Sequence, residues 1–187
     1  GKFGLMAIGA AFALSTGIAH AGDATEGQIL QALKPKPLTR SLSGPTPAEQ
    51  AKAAETNNFV QTLRNRTTRS LSSGERSQIA EIAKEKPAID LEITFDYNSA
   101  NISQKAIPAV EALGRALTNP DLKGTTFVLA GHTDAVGNEG YNQDLSEKRA
   151  DSLKKYLVEK FGIAAADLVT VGYGKARLKN PNDPNGP

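Results

Sequence analysis

The sequence contains no cysteine. That excludes disulfides, thiol nucleophiles, thiolate metal sites and a lipid-modified N-terminal cysteine. Neither sign of charge dominates, since 22 Lys and Arg stand against 20 Asp and Glu for a formal net charge of +2. This balance carries no polyelectrolyte signature and makes nucleic acid a poor candidate partner. Histidine is nearly missing: His20 lies in an N-terminal apolar run, and His132 is the one remaining. A histidine-rich metal site therefore has no ligands. No G-x-S-x-G elbow is present to activate a serine near His132, so a structural hydrogen bond at a strand–loop junction is the expected role of that residue. With no nucleophile, metal or cofactor in view, the expectation is a binding protein rather than an enzyme.

What is present begins with an apolar run. The chain starts at Gly1 rather than at a methionine, so the natural start is expected to lie upstream. After Lys2 comes FGLMAIGAAFALSTGIAHA, which ends in the small-x-small triplet Ala19-His20-Ala21. A basic residue, an apolar segment and such an ending form the signature of a secretory signal peptide. Residues 1–21 are expected to direct export and to be cleaved before Gly22. The alternative is a retained single anchor, because the run approaches the roughly 20 residues that a spanning helix needs.

Residues 22–87 are poor in large apolar side chains and read as a linker or extension with short helices at Glu26–Leu33, Pro47–Leu63 and Glu75–Lys84. Thr46 as a cap followed by Pro47 gives the second a clear start. None has a wide apolar stripe, so none can bury much surface alone. The segment TRSLS occurs at Thr39–Ser43 and again at Thr68–Ser72. Two copies do not make a repeat fold; they fit either a Ser/Thr-rich linker or a paired binding element for a periplasmic partner. There is no series of alternating strands about 10 residues long, so these residues are not a transmembrane barrel.

The character changes at Ala88. Ile89, Leu91, Ile93 and Phe95 alternate with Asp90, Glu92, Thr94 and Asp96, as in a strand with one buried face. Ala106, Val110, Leu113 and Leu117 then recur at helical spacing up to Asn119-Pro120, with Pro108 either starting or kinking the helix. A second strand is predicted at Thr125–Ala130, a long amphipathic helix follows, and Leu168–Val171 forms a third strand before Gly172-Tyr173-Gly174. This β-α-β-α-β order predicts an α/β (α+β sandwich) domain over about 88–174. The tail 179–187 is turn-forming.

The stretch between the second and third strands, GHTDAVGNEGYNQDLSEKRADSLKKYL from Gly131 to Leu157, carries the candidate site. Ligands in such folds sit at strand ends and in the loops that follow. Asn142 and Arg149 are seven residues apart, hence on nearly one helix face and about 10 Å apart along the axis. Asp134 precedes the helix and can fold back toward that face. Two readings follow. Asp134 and Arg149 pair with each other, or they clamp a small zwitterion, with the ammonium on Asp134, the carboxylate on Arg149 and a hydrogen bond from Asn142. Asp144 and Lys148 are expected to form an exposed i,i+4 pair. Glu147, Lys154 and Lys155 are expected at the solvated surface.

Three segments, ITFDYNSANIS, GHTD with the downstream YNQDLSEKRADSLKKYL, and VGYGKARL, closely resemble the OmpA-like C-terminal domain family. That family is the peptidoglycan-binding module of Gram-negative envelopes. Similar domains occur in outer-membrane barrel proteins, the peptidoglycan-associated lipoprotein and the flagellar stator B protein. The resemblance covers roughly Ile89 to Gly174. It implies binding of the diaminopimelate residue of the wall's stem peptide, with Asp134 on the ammonium, Arg149 on the carboxylate, and Asn98 and Asn142 adding hydrogen bonds. It also implies discrimination against lysine-type walls, which lack that carboxylate.

The family normally continues into an N-R-R segment and a last strand, whereas this sequence stops at Pro187. A shortened C-terminal end is therefore expected for the domain at 88–187. The resulting expectation is a periplasmic protein, associated with the outer membrane or the cell wall, that holds peptidoglycan. Residues 22–87 would tether it to an envelope or outer-membrane protein. A membrane-anchored stator-like component is the alternative, and a cell-wall hydrolase is the more distant one.

Overall fold

The computed structural model describes residues 3–8, 24–35, 46–64, 66–133 and 137–175. Within them the order is β1 (Phe3–Ile8), α1 (Glu26–Leu33), α2 (Pro47–Leu63), α3 (Ser73–Lys84), β2 (Ala88–Leu91), α4 (Ile107–Leu117), β3 (Thr126–Gly131), α5 (Glu139–Phe161) and β4 (Leu168–Gly172). Asp134 and the tail 179–187 lie outside the described residues, as does the first TRSLS copy, Thr39–Ser43. The remainder of the expected signal segment, 1–2 and 9–21, does too.

Helix starts are decided locally. Thr25, Thr46 and Ser72 each accept from the backbone N–H three residues on, and Gln28, Glu49 and Glu75 reach back to the cap. These reciprocal bonds satisfy N–H groups that the helix leaves without partners. The third helix therefore begins at Ser73, two residues before the expected Glu75. Pro108 lies in the first turn of α4 and starts it rather than kinking it. α5 is capped by Asn138 and ends at Gly162, whose positive φ of 65° suits glycine.

The expected β-α-β-α-β unit is present as β2-α4-β3-α5-β4, and the domain is α+β. β3 and β4 run parallel, with Val128 opposite Val169 and Gly131 opposite Gly172. The strand order is β2-β1-β3-β4, so an additional strand sits inside the unit. β1 is antiparallel to both neighbours, Phe3 lying opposite Leu91 on one side and opposite Gly131 on the other. Phe3–Ile8 falls within the stretch expected to be a signal segment, and here it supplies backbone partners to β2 and β3 that would otherwise be open edges. Cleavage before Gly22 would remove the middle of this sheet. Among the described residues no helix is long and apolar enough to cross a membrane.

Both faces of the sheet are covered. β3 alternates: Phe127 and Leu129 join Ile29 and Leu33 of α1, Leu113 of α4 and Leu153 of α5 in one core. Val128 and Ala130 join Val60 and Leu63 of α2 and Ile79 of α3 in a second. A strand buried on both faces reads as a continuous apolar run, which is how Thr126–Gly131 appears. The segment expected as a linker therefore supplies the cover of one whole face. It does so with few residues: in α2 only the last turn is buried, and 47–58 are exposed or half-exposed. Each buried Leu or Ile stabilises by about 1.5–3 kcal/mol, so a narrow stripe suffices once a sheet is there to receive it.

Polar contacts fix the same segment. Arg64 pairs with Asp167 and donates from Nε to the Ala166 carbonyl at 3.1 Å. In the second TRSLS copy, Thr68 is buried and donates to Asp151, which also accepts from Thr170 at 2.9 Å. Ser72 of that copy caps α3. These contacts tie the second copy into the fold of the domain.

Candidate functional site

Glycines bring α5 onto the strand ends. A Cβ at Gly131 would lie 2.3 Å from the Ser146 carbonyl oxygen, and one at Gly172 would lie 2.5 Å from Glu147 Cγ and 2.7 Å from its N. Only glycine permits that approach. Ser146 Oγ then accepts from Gly174 N at 2.9 Å and donates to the Gln143 carbonyl at 2.8 Å. Gln143 Nε2 reaches both the Gly172 carbonyl and Glu147 Oε1 at 2.7 Å. Glu147 also faces Arg76 Nη1 at 3.4 Å.

Glu147 was expected at the surface and is buried. The close contact with Gly172 turns that helix face inward, and Gln143 and Arg76 balance the carboxylate. Lys154 is half-buried, and desolvation lowers its pKa. Lys155 is exposed, as expected. So is the Asp144–Lys148 pair, at 2.6 Å, which Arg69 joins at 2.6 Å.

With α5 fixed, Arg149 is carried toward the loop that follows β2. The residue is 9% exposed. Nε donates to the Ser99 carbonyl at 3.1 Å, and the guanidinium carbon lies 5.1 Å from the centroid of the Phe95 ring. A cation held over an aromatic face with its Nε–H committed is restrained in orientation, which favours directional recognition of a carboxylate.

The loop itself is closed by backbone bonds. Phe95 bridges to Ile102, Asp96 N donates to the Asn101 carbonyl at 2.9 Å, and Ser99 N donates to the Asp96 carbonyl at 3.1 Å. Asn98 takes a positive φ of 53° at the turn, a conformation that Asn tolerates better than most residues. Its Oδ1 accepts from the Tyr141 hydroxyl.

Asn142 is buried and donates from Nδ2 to the Asn138 carbonyl at 3.0 Å. It therefore faces the start of α5, while Arg149 faces the loop two turns on. The segment bearing Asp134 is framed by Thr133, whose N donates to the Gly174 carbonyl at 3.0 Å, and by Gly137, whose carbonyl accepts from Lys175 Nζ at 3.3 Å. A Cβ on Gly137 would sit 3.5 Å from Asn142 Nδ2, so Gly137 lies beside Asn142. His132, before it, stacks on Tyr173 with centroids 5.4 Å apart.

Residues 94–186 match the OmpA family. The C-terminal half of this chain is an OmpA-like domain. Over 96 residues it is 38% identical to outer membrane protein A of Klebsiella pneumoniae, covering 51% of this chain and 28% of that protein. Over 99 residues it is 30% identical to outer membrane porin F of Pseudomonas aeruginosa, covering 53% of this chain and 27% of the porin. The chain thus spans little more than a quarter of the length of these relatives. A solved structure, the OmpA-like domain of FopA1 from Francisella tularensis, aligns with a TM-score of 0.45 at 20% identity over 50% of this chain and 62% of that one.

Of the four residues expected at the site of the OmpA-like domain, Asn98 lies in the loop that Arg149 contacts, and Asn142 lies on the same face of α5 as Arg149 but two turns nearer its start. Sequence reasoning missed three contributors: Phe95 under the guanidinium, the Ser99 carbonyl, and Tyr141 on Asn98. Tyr141 adjoins Asn142 in sequence and could have been found there. Ser99 contributes a backbone carbonyl, which no side-chain pattern marks. Among the described residues no group of three His, Asp or Glu side chains could hold a metal ion.

Proposed function

We propose that the OmpA-like domain binds peptidoglycan without covalent chemistry, by clamping the diaminopimelate zwitterion of the stem peptide. Arg149 takes the carboxylate, Asp134 the ammonium, and Asn98 and Asn142 the remaining polar edges. The observation that carries this reading is the setting of Arg149, nearly buried, held by Ser99 and placed over the Phe95 ring at the loop end of the sheet. Holding a guanidinium this way makes carboxylate binding directional at little ordering cost. The domain acts as an anchor and not as an enzyme, on the periplasmic side of an outer membrane like that named for its relatives. The N-terminal residues 22–87 join it to a second envelope protein, for which the exposed first part of α2 is the available surface.

The test is sedimentation with purified sacculi. Wild type is expected to pellet with diaminopimelate-type walls and not with lysine-type walls. Arg149→Ala and Asp134→Ala are each expected to lose binding. Losing one partner of a buried charged pair typically removes about 2–5 kcal/mol, or at least about 30-fold in affinity. Undiminished pelleting of both variants would overturn the proposal.

A further inference from the structure

Among the described residues two large apolar side chains are left exposed, Tyr97 at 100% and Tyr141 at 47%. Both belong to the loop–helix junction around Arg149. Of the four tyrosines in the sequence, the other two are packed away: Tyr173 is buried and Tyr156 lies partly buried against the core. Isolated exposed apolar residues are common. Two aromatics flanking one polar site, on a braced loop, are a different matter.

The local geometry explains why Tyr97 faces solvent. Ser99 N donates to the Asp96 carbonyl, so Asp96-Tyr97-Asn98-Ser99 is a four-residue turn with Tyr97 at its first corner. The positive φ of Asn98 suits the second corner, where Asn and Gly are favoured. Nothing in such a turn calls for an aromatic ring at the first corner. The turn is nevertheless immobilised from several sides. Tyr141 holds Asn98, Arg149 holds the Ser99 carbonyl, and Phe95 is bridged to Ile102. An exposed tyrosine on a rigid turn offers a large contact area with few rotatable bonds to freeze, which is why tyrosine recurs at binding hot spots.

We infer that Tyr97, with Tyr141 beside it, forms a second subsite that takes a sugar ring of the glycan strand while the neighbouring Arg149 holds the stem peptide. The inference rests on the peptidoglycan reading above. A pyranose presents an apolar C–H face edged by hydroxyls, and a tyrosine presents an apolar ring face with a hydroxyl at its edge. The spacing agrees. Tyr97 is two residues from Ser99, whose carbonyl binds Arg149, and two residues span at most about 7 Å. In the wall polymer at least two stem residues lie between the glycan and diaminopimelate, so the connection reaches about 7 Å or more when extended. One muropeptide can therefore reach both subsites.

The experiment uses the full chain and two soluble probes: the free tripeptide ending in diaminopimelate, and the same tripeptide carrying its disaccharide. Wild type is expected to bind the disaccharide form more tightly. Tyr97→Ala is expected to weaken that form about tenfold, as for an aromatic hot spot, and to leave the free tripeptide unchanged. Tyr97→Phe keeps the ring and is expected to keep the preference. Equal weakening for both probes, or no weakening for either, would overturn the glycan subsite. Arg149→Ala tests the underlying reading separately: if it binds both probes like wild type, the peptide clamp fails, whatever Tyr97 does.

Discussion

Arg149 donates from Nε to the backbone carbonyl of Ser99 at 3.1 Å, joining the middle of the longest helix to the loop that follows β2. The bond crosses fifty positions of sequence. It links the helix that bears the candidate cation to the turn that bears Asn98.

Replacing Arg149 with lysine keeps the charge and removes the fork, the Nε bond to Ser99 and the guanidinium contact over Phe95. Hydrogen bonds from charged groups contribute about 1.5–3 kcal/mol, so Arg149→Lys is expected to lower stability by an amount in that range. It is also expected to reduce wall binding about as severely as alanine. Urea denaturation and sacculus pelleting read the two effects. Wild-type pelleting by the lysine variant would show that charge alone suffices.

Two glycines should respond in opposite directions. A Cβ at Gly172 meets Glu147 Cγ at 2.5 Å and its backbone N at 2.7 Å, so Gly172→Ala must lift α5 from β4. The expected loss is about 1–3 kcal/mol, as for overpacking in a well-filled core. Gly27 lies in α1 with nothing within 4 Å of its would-be Cβ. There Gly27→Ala should stabilise by about 0.5–1 kcal/mol, the usual penalty of glycine in a helix. Thermal unfolding of both variants decides, and a shift of the same sign in each would contradict the packing described.

A chain beginning at Gly22 lacks β1. Four register pairs with β2 and six with β3 are then lost, leaving two open edges in the middle of the sheet. Such edges favour association with other chains. The shortened chain is expected to unfold at lower temperature and to self-associate in light scattering. A monomer of unchanged stability would mean that the sheet does not depend on Phe3–Ile8.

Acid should weaken the helix starts. The Glu49 and Glu75 carboxyls are held below their usual range, chiefly by the backbone N–H groups of Thr46 and Ser72, with Arg66 adding to the effect on Glu75. Asp144 is lowered chiefly by its bond from Lys148. The unfolded chain therefore binds more protons in acid than the folded one. This stabilisation is complete above the unfolded carboxyl values near about 4 and is lost as pH falls through the folded ones. Glu75→Gln should melt lower at neutral pH and show a shallower decline into acid. An unchanged slope would remove Glu75 from the account.

Much of this protein was legible from its residues, and the reason is that the forces concerned are local. Thr46 and Pro47 mark a helix start whatever surrounds them, and a spacing of seven puts Asn142 and Arg149 on one face. The alternation at Ile89, Leu91 and Ile93 persists in burial even where the strand ladder has ended. The β-α-β-α-β order follows from such signals, and so does the lack of any thiol chemistry.

Tertiary structure decided what depends on partners distant in sequence. The burial of Glu147 follows from the missing side chain of Gly172, and the setting of Arg149 from a carbonyl and a ring fifty positions away. Helices judged too narrow to bury much alone cover a face because the sheet supplies the other half of the contact. The apolar run at Phe3–Ile8 is compatible with a signal segment and with a strand. Its periodicity cannot choose between them, because the hydrogen-bonding partners that make it a strand lie in Ala88–Leu91 and Thr126–Gly131.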